Sequence, residues 1–231
     1  MARARTKTTT KKPTSSMKPL NGKRARPPAP ETREDLISDM GKLLDAVDQE
    51  AAKMRPLYWT YGGGKWNAFR EKMNELLARM EKLLPDDRAD EVFAKELAAE
   101  PGSEPSIARP GMFVEWIGYV PVLIEWGGFF NRSADLRVVD PTERWISATG
   151  FRSLHIGGDG LEHGVRAWTR ETLAAAAQRK EFDLFTLSEW GRQEAAERLA
   201  GAEWLQRALK AGPVDPIPLP RKLHAVQQSF F

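Results

Sequence analysis

The chain contains no cysteine, only three histidines, and no apolar run approaching the length of a membrane helix. The first absence excludes disulfides, thiolate nucleophiles and cysteine-based zinc sites, and it makes a reducing compartment the simplest setting. Without roughly 20 consecutive apolar residues no membrane span is expected. No apolar segment follows Met1 as it would in a secretory signal, so the expected location is cytoplasmic. A further absence is regional. Residues 1–30 hold nine Lys or Arg, from Arg3 to Arg26, and no Asp or Glu, which leaves the rest of the chain 26 basic residues against 32 acidic, a net of −6. The overall charge of +3 and the pI near 9.1 therefore describe neither part.

Rich in Thr, Pro and Lys and poor in apolar residues, the segment 1–30 cannot bury enough surface to offset its chain entropy. It is expected to be a disordered basic tail. Its Arg and Ser/Thr bias is shared by organelle transit peptides, but their amphipathic apolar stripe is missing. Such a tail could hold DNA phosphates through counterion release, without sequence preference, or serve only as a solvated arm. The remaining body of roughly 200 residues is large enough for a real core.

The body changes its periodicity along the chain. Thr32 and Asp35 form a capping-box-like start, after which Leu36, Met40, Leu43, Leu44, Val47 and Met54 recur at helical spacing, predicting a helix over 32–54. Pro56 ends it, and a second helix is expected from Lys65 to Leu84, with Trp66, Met73, Leu76 and Met80 on one face. A third is expected over 86–99. Residues 100–110, rich in Pro, Ser and Gly, read as a linker. From Gly111 the pattern becomes β-branched and aromatic, which predicts strands over 112–120 and 122–126, with shorter ones at 136–139 and 144–148. Helices are expected from Thr169 to Lys180 and from Ser188 to Ala211, followed by an extended, proline-rich end. The fold class is thus α+β: a helical N-terminal half (31–100), a small mixed sheet at about 112–149, and C-terminal helices within an α/β unit of 111–212, with an extended segment from 213 to 231.

Chemistry concentrates at Glu143-Arg-Trp-Ile-Ser-Ala-Thr-Gly-Phe-Arg-Ser-Leu-His155, read as a strand, a glycine turn, and an arginine in the first turn of a helix. That order suits an anion. Gly150 allows close backbone approach, helix-start amides point outward, and Arg152 offers a two-pronged donor to phosphate beside the hydroxyls of Thr149 and Ser153. The alternative is an ordinary turn whose arginine pairs with a surface carboxylate. If hydrolysis occurs, Glu143 would orient water and Arg152 would offset developing phosphate charge.

The run Trp-Ile-Ser-Ala-Thr-Gly-Phe-Arg-Ser resembles the strand-Gly-x-Arg-helix box of the ParB/sulfiredoxin superfamily, matching it at Gly150 and Arg152, with Ser153 where a second arginine is common. No helix-turn-helix of the ParB type is recognisable beside it. The combination of such a body with a basic tail looks most like the Osa and FiwA group of plasmid fertility-inhibition proteins. That resemblance implies a nucleotide-binding turn, with ATP as the cofactor, ATP hydrolysis and DNA cleavage as activities, and the conjugation coupling protein or relaxosome components as partners. The match departs where His155-Ile-Gly-Gly-Asp-Gly160 interrupts the helix that should follow.

That loop also holds His155, Asp159, Glu162 and His163, side chains able to bind a divalent metal or move a proton near neutral pH. Their spacing fits no established motif, and a glycine-rich flexible turn explains the same residues. Gly62-Gly-Gly-Lys65 lacks the spacing of a phosphate loop and reads as a hinge. The eight tryptophans fall mostly at apolar-periodic positions, which favours packing or a partner surface over base stacking. Two other readings therefore stand beside the conjugation inhibitor. One is a non-enzymatic adaptor that binds a partner protein through its helices while the tail touches DNA; the other is a metal-dependent nuclease.

Overall fold

The computed structural model describes residues 30–53, 64–131, 133–141, 146–155, 161–178 and 185–218. The expected tail (residues 1–29), Glu143, Trp145 and Asp159 lie outside these residues, as do Gly62, Gly63 and His224. The chain divides into two units between Pro30 and Glu31, and the second carries every element described below.

The fold is α+β. Helix α1 (Arg33–Ala51) begins where the Thr32 hydroxyl accepts from the Asp35 amide while the Asp35 carboxylate accepts from the Thr32 amide, so two orphan donors are satisfied reciprocally. Its buried stripe of Leu36, Met40, Leu43, Leu44 and Val47 follows the helical period. Helix α2 (Gly64–Leu83) meets it with Trp66, Met73, Leu76 and Met80, and α3 (Ala89–Glu96) closes the layer with Phe93. The third helix is shorter than the sequence suggests.

Residues 111–155 form a four-stranded antiparallel meander in the order β1 (Gly111–Ile117), β2 (Val120–Trp126), β3 (Ser133–Val138), β4 (Phe151–His155). Strict alternation on β1 buries Phe113, Glu115 and Ile117 on one face and leaves Met112, Val114 and Trp116 on the other. The first face is covered by α4 (Val165–Gln178) through Val165, Trp168, Leu173 and Ala176. The second meets α6 (Glu203–Ala211), where Leu205 packs on Leu123 and Val139. Covered on both sides, β2 is apolar almost throughout, as a central strand must be. The sheet core and the helical core meet at Ile107, which packs against both.

Three local expectations are corrected. Residues 146–150 form a turn, and the strand follows Gly150 instead of preceding it. Thr169 does not cap a helix: it is buried inside α4, where its hydroxyl donates to the Val165 carbonyl at 2.8 Å, a bond that satisfies the group within the helix. The single helix expected from Ser188 to Ala211 is two, α5 (Glu189–Ala200) and α6, separated at Gly201 and Ala202. Ser188 does cap α5, accepting from the Gly191 amide. The C-terminal stretch contributes Ile217, which is buried and bridges to Ile117 in parallel.

Candidate functional site

The Gly150 turn is built by packing. Gly150 has φ +72°, and a Cβ there would collide with Val138 Cγ1 on the neighbouring strand and approach Gly191 of α5. Two glycines thus allow α5 to sit directly against the turn, with the Ser188 amide donating to the Ala148 carbonyl at 2.8 Å. The Cβ side of Gly150 is therefore closed by Val138 and α5.

The flanking residues follow suit. Arg152 lies on β4 opposite Leu136, on the face where Leu154 is buried, and not in the first turn of a helix. Ser153 faces the other way and donates to Asp135 across the strand pair at 2.6 Å. Thr149 shares a hydrogen bond with Ser147 at 2.9 Å. His163 is exposed at the end of the short 3-10 turn Leu161–His163, while the Asp159 position and the His155 side chain lie outside the described structure. Among the described residues no group of three His, Asp or Glu side chains is placed to hold a metal.

A different cluster converges at the outer edge of β1. Glu115, on the apolar face of that strand, has a side chain only 4 % exposed beneath two arginines one helical turn apart on α4. Arg170 donates to its Oε2 at 2.8 Å and, with its other nitrogen, to the carbonyl and carboxylate of Asp215, each at 2.8 Å. Arg166 lies over the Phe113 ring at 4.9 Å and brings Nη1 within 3.3 Å of Glu115 Oε1. That approach is one of charge without a directed hydrogen bond, so among the described residues Oε1 is a buried acceptor left unfilled. Burial pushes the Glu115 carboxyl above the usual carboxylate range, while Arg166 and Arg170 pull it back.

The cluster opens into a cavity of about 390 Å³, with Val114, Trp116, Trp204 and Val214 among its walls. The hydrogen-bonding parity of β1 explains the opening. Met112 and Trp116 turn their carbonyls outward, where they accept from the Gly102 and Ile217 amides at 2.8 and 2.7 Å. Val114, midway between them, shares that orientation. Among the described residues no backbone group pairs with its outward amide and carbonyl. Among the described residues the edge is thus sealed at both ends and left unpaired in the middle.

Sequence reading alone did not single out Glu115, Arg166, Arg170 or Asp215. The available signal was a carboxylate at an apolar phase of a strand, between Phe113 and Ile117, which requires a partner from another element.

No protein-family model matches the chain, and no solved structure matches it. Over 137 residues the chain is 31 % identical to Protein KlcB of Escherichia coli, covering 54 % of this chain and 34 % of that protein. The chain thus spans about a third of the length of that curated relative.

Proposed function

We propose that this chain is a plasmid-associated regulator that reduces conjugative transfer by binding a protein of the transfer machinery, a coupling protein or a relaxosome component, without turning over a nucleotide. The likeness to KlcB is consistent with a plasmid-associated role. The observation that carries the partner-binding part is the outer edge of β1, where the backbone of Val114, unpaired among the described residues, faces a cavity beside a buried, under-satisfied carboxylate. An open strand edge offers main-chain hydrogen bonds to an added segment, and adjoining side-chain pockets supply selectivity. The place of Arg152 on β4, outside a helix start, does not add support to the phosphate reading.

The test separates the two readings in a mating assay. Val114→Pro removes the outward donor at a position where proline is compatible with an edge strand and leaves the β1–β2 bonds intact. It should weaken partner binding about tenfold, the scale of one good hydrogen bond, and reduce inhibition of transfer in step. Arg152→Ala should leave inhibition intact. The reverse pattern, loss in Arg152→Ala and none in Val114→Pro, would return the function to the glycine turn.

A further inference from the structure

A second opening lies on the helical layer. One wall is a stripe of α2 on which Met73, Leu77 and Glu81 recur four residues apart; the turn at 85–88 and Phe130, from the segment between β2 and β3, form the other. The volume is about 730 Å³. Phe130 is held from beneath by Phe93 of α3, with ring centroids 6.5 Å apart and 12° between the planes. Met73 is buried, whereas Leu77 and Phe130 are half-buried, so the groove has an apolar floor that water still reaches.

The rim is acidic. Among the lining residues Glu81, Asp87 and Asp90 carry three negative charges and Arg88 carries one positive charge, a net of −2. Arg88 is already engaged with Asp90 at 2.7 Å and with Glu91 at 2.8 Å. Glu81 and Asp87 are exposed and form no ion pair among the described residues, so an incoming group reaches both. Arg70, the α2 cation that shares this face, lies about 16 Å from Glu81 along the helix axis, roughly twice the screening length at physiological salt.

That sign opposes nucleic acid and anionic lipid, whose phosphates it repels. The wall also selects the backbone form of its occupant. Main-chain groups along α2 are bonded within the helix, so an extended segment would find no partners there. A helix arrives with its own backbone satisfied and presents side chains at the same three- and four-residue spacing. The stretch from Met73 to Glu81 is about 12 Å, room for roughly two turns.

We propose that this groove docks a basic amphipathic helix of a partner protein. One apolar side chain of that helix seats on Leu77 and Phe130, and a Lys or Arg one turn away reaches Glu81 and Asp87. The site shares no lining residue with the cavity at the β1 edge, so it stands or falls separately from the reading above.

The experiment titrates the full chain with blocked, Ala-based peptides of about 15 residues, long enough to populate a helix in isolation. All three share a Leu stripe at every third or fourth position, flanked by Lys, Gln or Glu, and NMR follows the methyl resonances of Met73 and Leu77. The Lys peptide should shift both resonances and bind roughly tenfold more tightly than the Gln peptide, with the Glu peptide weakest. Glu81→Gln combined with Asp87→Asn changes only exposed positions and should shrink the Lys-over-Gln preference to less than about twofold. Leu77→Ser should weaken all three peptides; if it fails to fold, the surface pair still decides. Glu189→Gln with Glu203→Gln removes the same charge elsewhere and should leave the preference intact, as should Val114→Pro. Equal binding of the peptides, no binding, or a preference that survives the groove pair would each overturn the proposal. So would a preference lost equally in the distant pair, or binding lost in Val114→Pro. Self-association in sedimentation that the groove pair abolishes would make a second copy of the chain the occupant and would overturn it too.

Discussion

Arg170 on α4 donates to Glu115 on β1 at 2.8 Å across 55 residues of sequence, and this bond joins the covering helix to the edge of the sheet. It secures a buried carboxylate only partially, since the second oxygen of Glu115 has no directed donor among the described residues. A pair of this kind is weak evidence of net stabilisation, because removing the carboxylate from water opposes the attraction. Its value lies in fixing a charge at the end of a cavity.

That imbalance has a pH signature. The folded-state pKa of Glu115 is raised, chiefly by burial, with Arg166 and Arg170 acting in the opposite direction. A raised carboxyl pKa contributes stability that is fully present below the unfolded value and is lost as pH rises through the folded one. The difference in unfolding free energy between the wild type and Glu115→Gln should therefore decrease as pH climbs past the ordinary carboxylate range, then level off. Urea denaturation from pH 4 to pH 8 measures it, and a difference that grows with pH would contradict the burial of this group.

Gly150→Ala should destabilise the fold by about 2–4 kcal/mol, combining a left-handed backbone cost with overpacking. Gly212 also has a positive φ, with an extended ψ, and meets nothing within 4 Å, so Gly212→Ala carries a backbone cost without overpacking and should cost about 1–3 kcal/mol. Adding Val138→Ala to Gly150→Ala should recover part of the loss in a double-mutant cycle, because Val138 Cγ1 is the atom in the way. Chemical denaturation of the four proteins gives the comparison. Additive losses would show that the turn is shaped by something other than this contact.

Asp48 of α1 accepts from the buried amide of Ala108 at 2.8 Å, tying the helical layer to the segment that leads into β1. Asp48→Ala leaves that amide without an acceptor and should cost about 1–3 kcal/mol. Asp45, paired with Arg109 near the surface, should cost less than about 1 kcal/mol when replaced by alanine. Thermal unfolding distinguishes them, and equal effects would mean that the amide finds another partner.

The basic segment makes a separate, electrostatic prediction. Deleting residues 1–30 removes nine positive charges, so nonspecific binding to double-stranded DNA should weaken and its dependence on salt concentration should flatten. The urea midpoint should stay where it is. A lowered midpoint would show that the division of the chain at Pro30 is not one of independent stability.

Local pattern made much of the architecture legible. The recurrence of Leu36, Met40, Leu43, Leu44 and Val47 marks a helical face within a single window, and the Thr32–Asp35 pair marks its start, so α1 ends only a few residues from its expected limit. The alternation around Phe113 and Ile117 likewise predicts β1 and β2 without knowledge of any other element. The Gly150 neighbourhood resists such reading. A glycine at positive φ serves a strand-to-helix turn or a turn-to-strand entry equally well, and Phe-Arg-Ser-Leu-His carries too short a pattern to choose between them.

By itself the sequence determined the segregation of charge, the helical faces and the apolar strands, because each is encoded in residues close along the chain. Tertiary structure alone decided that Gly150 is occupied by Val138 and α5, and that Glu115 lies under Arg166 and Arg170 beside Asp215. Those groups are 51, 55 and 100 positions from Glu115, and no local period brings them together. Only the packing of α4 on the sheet and the return of the chain at Ile217 place their charges in contact.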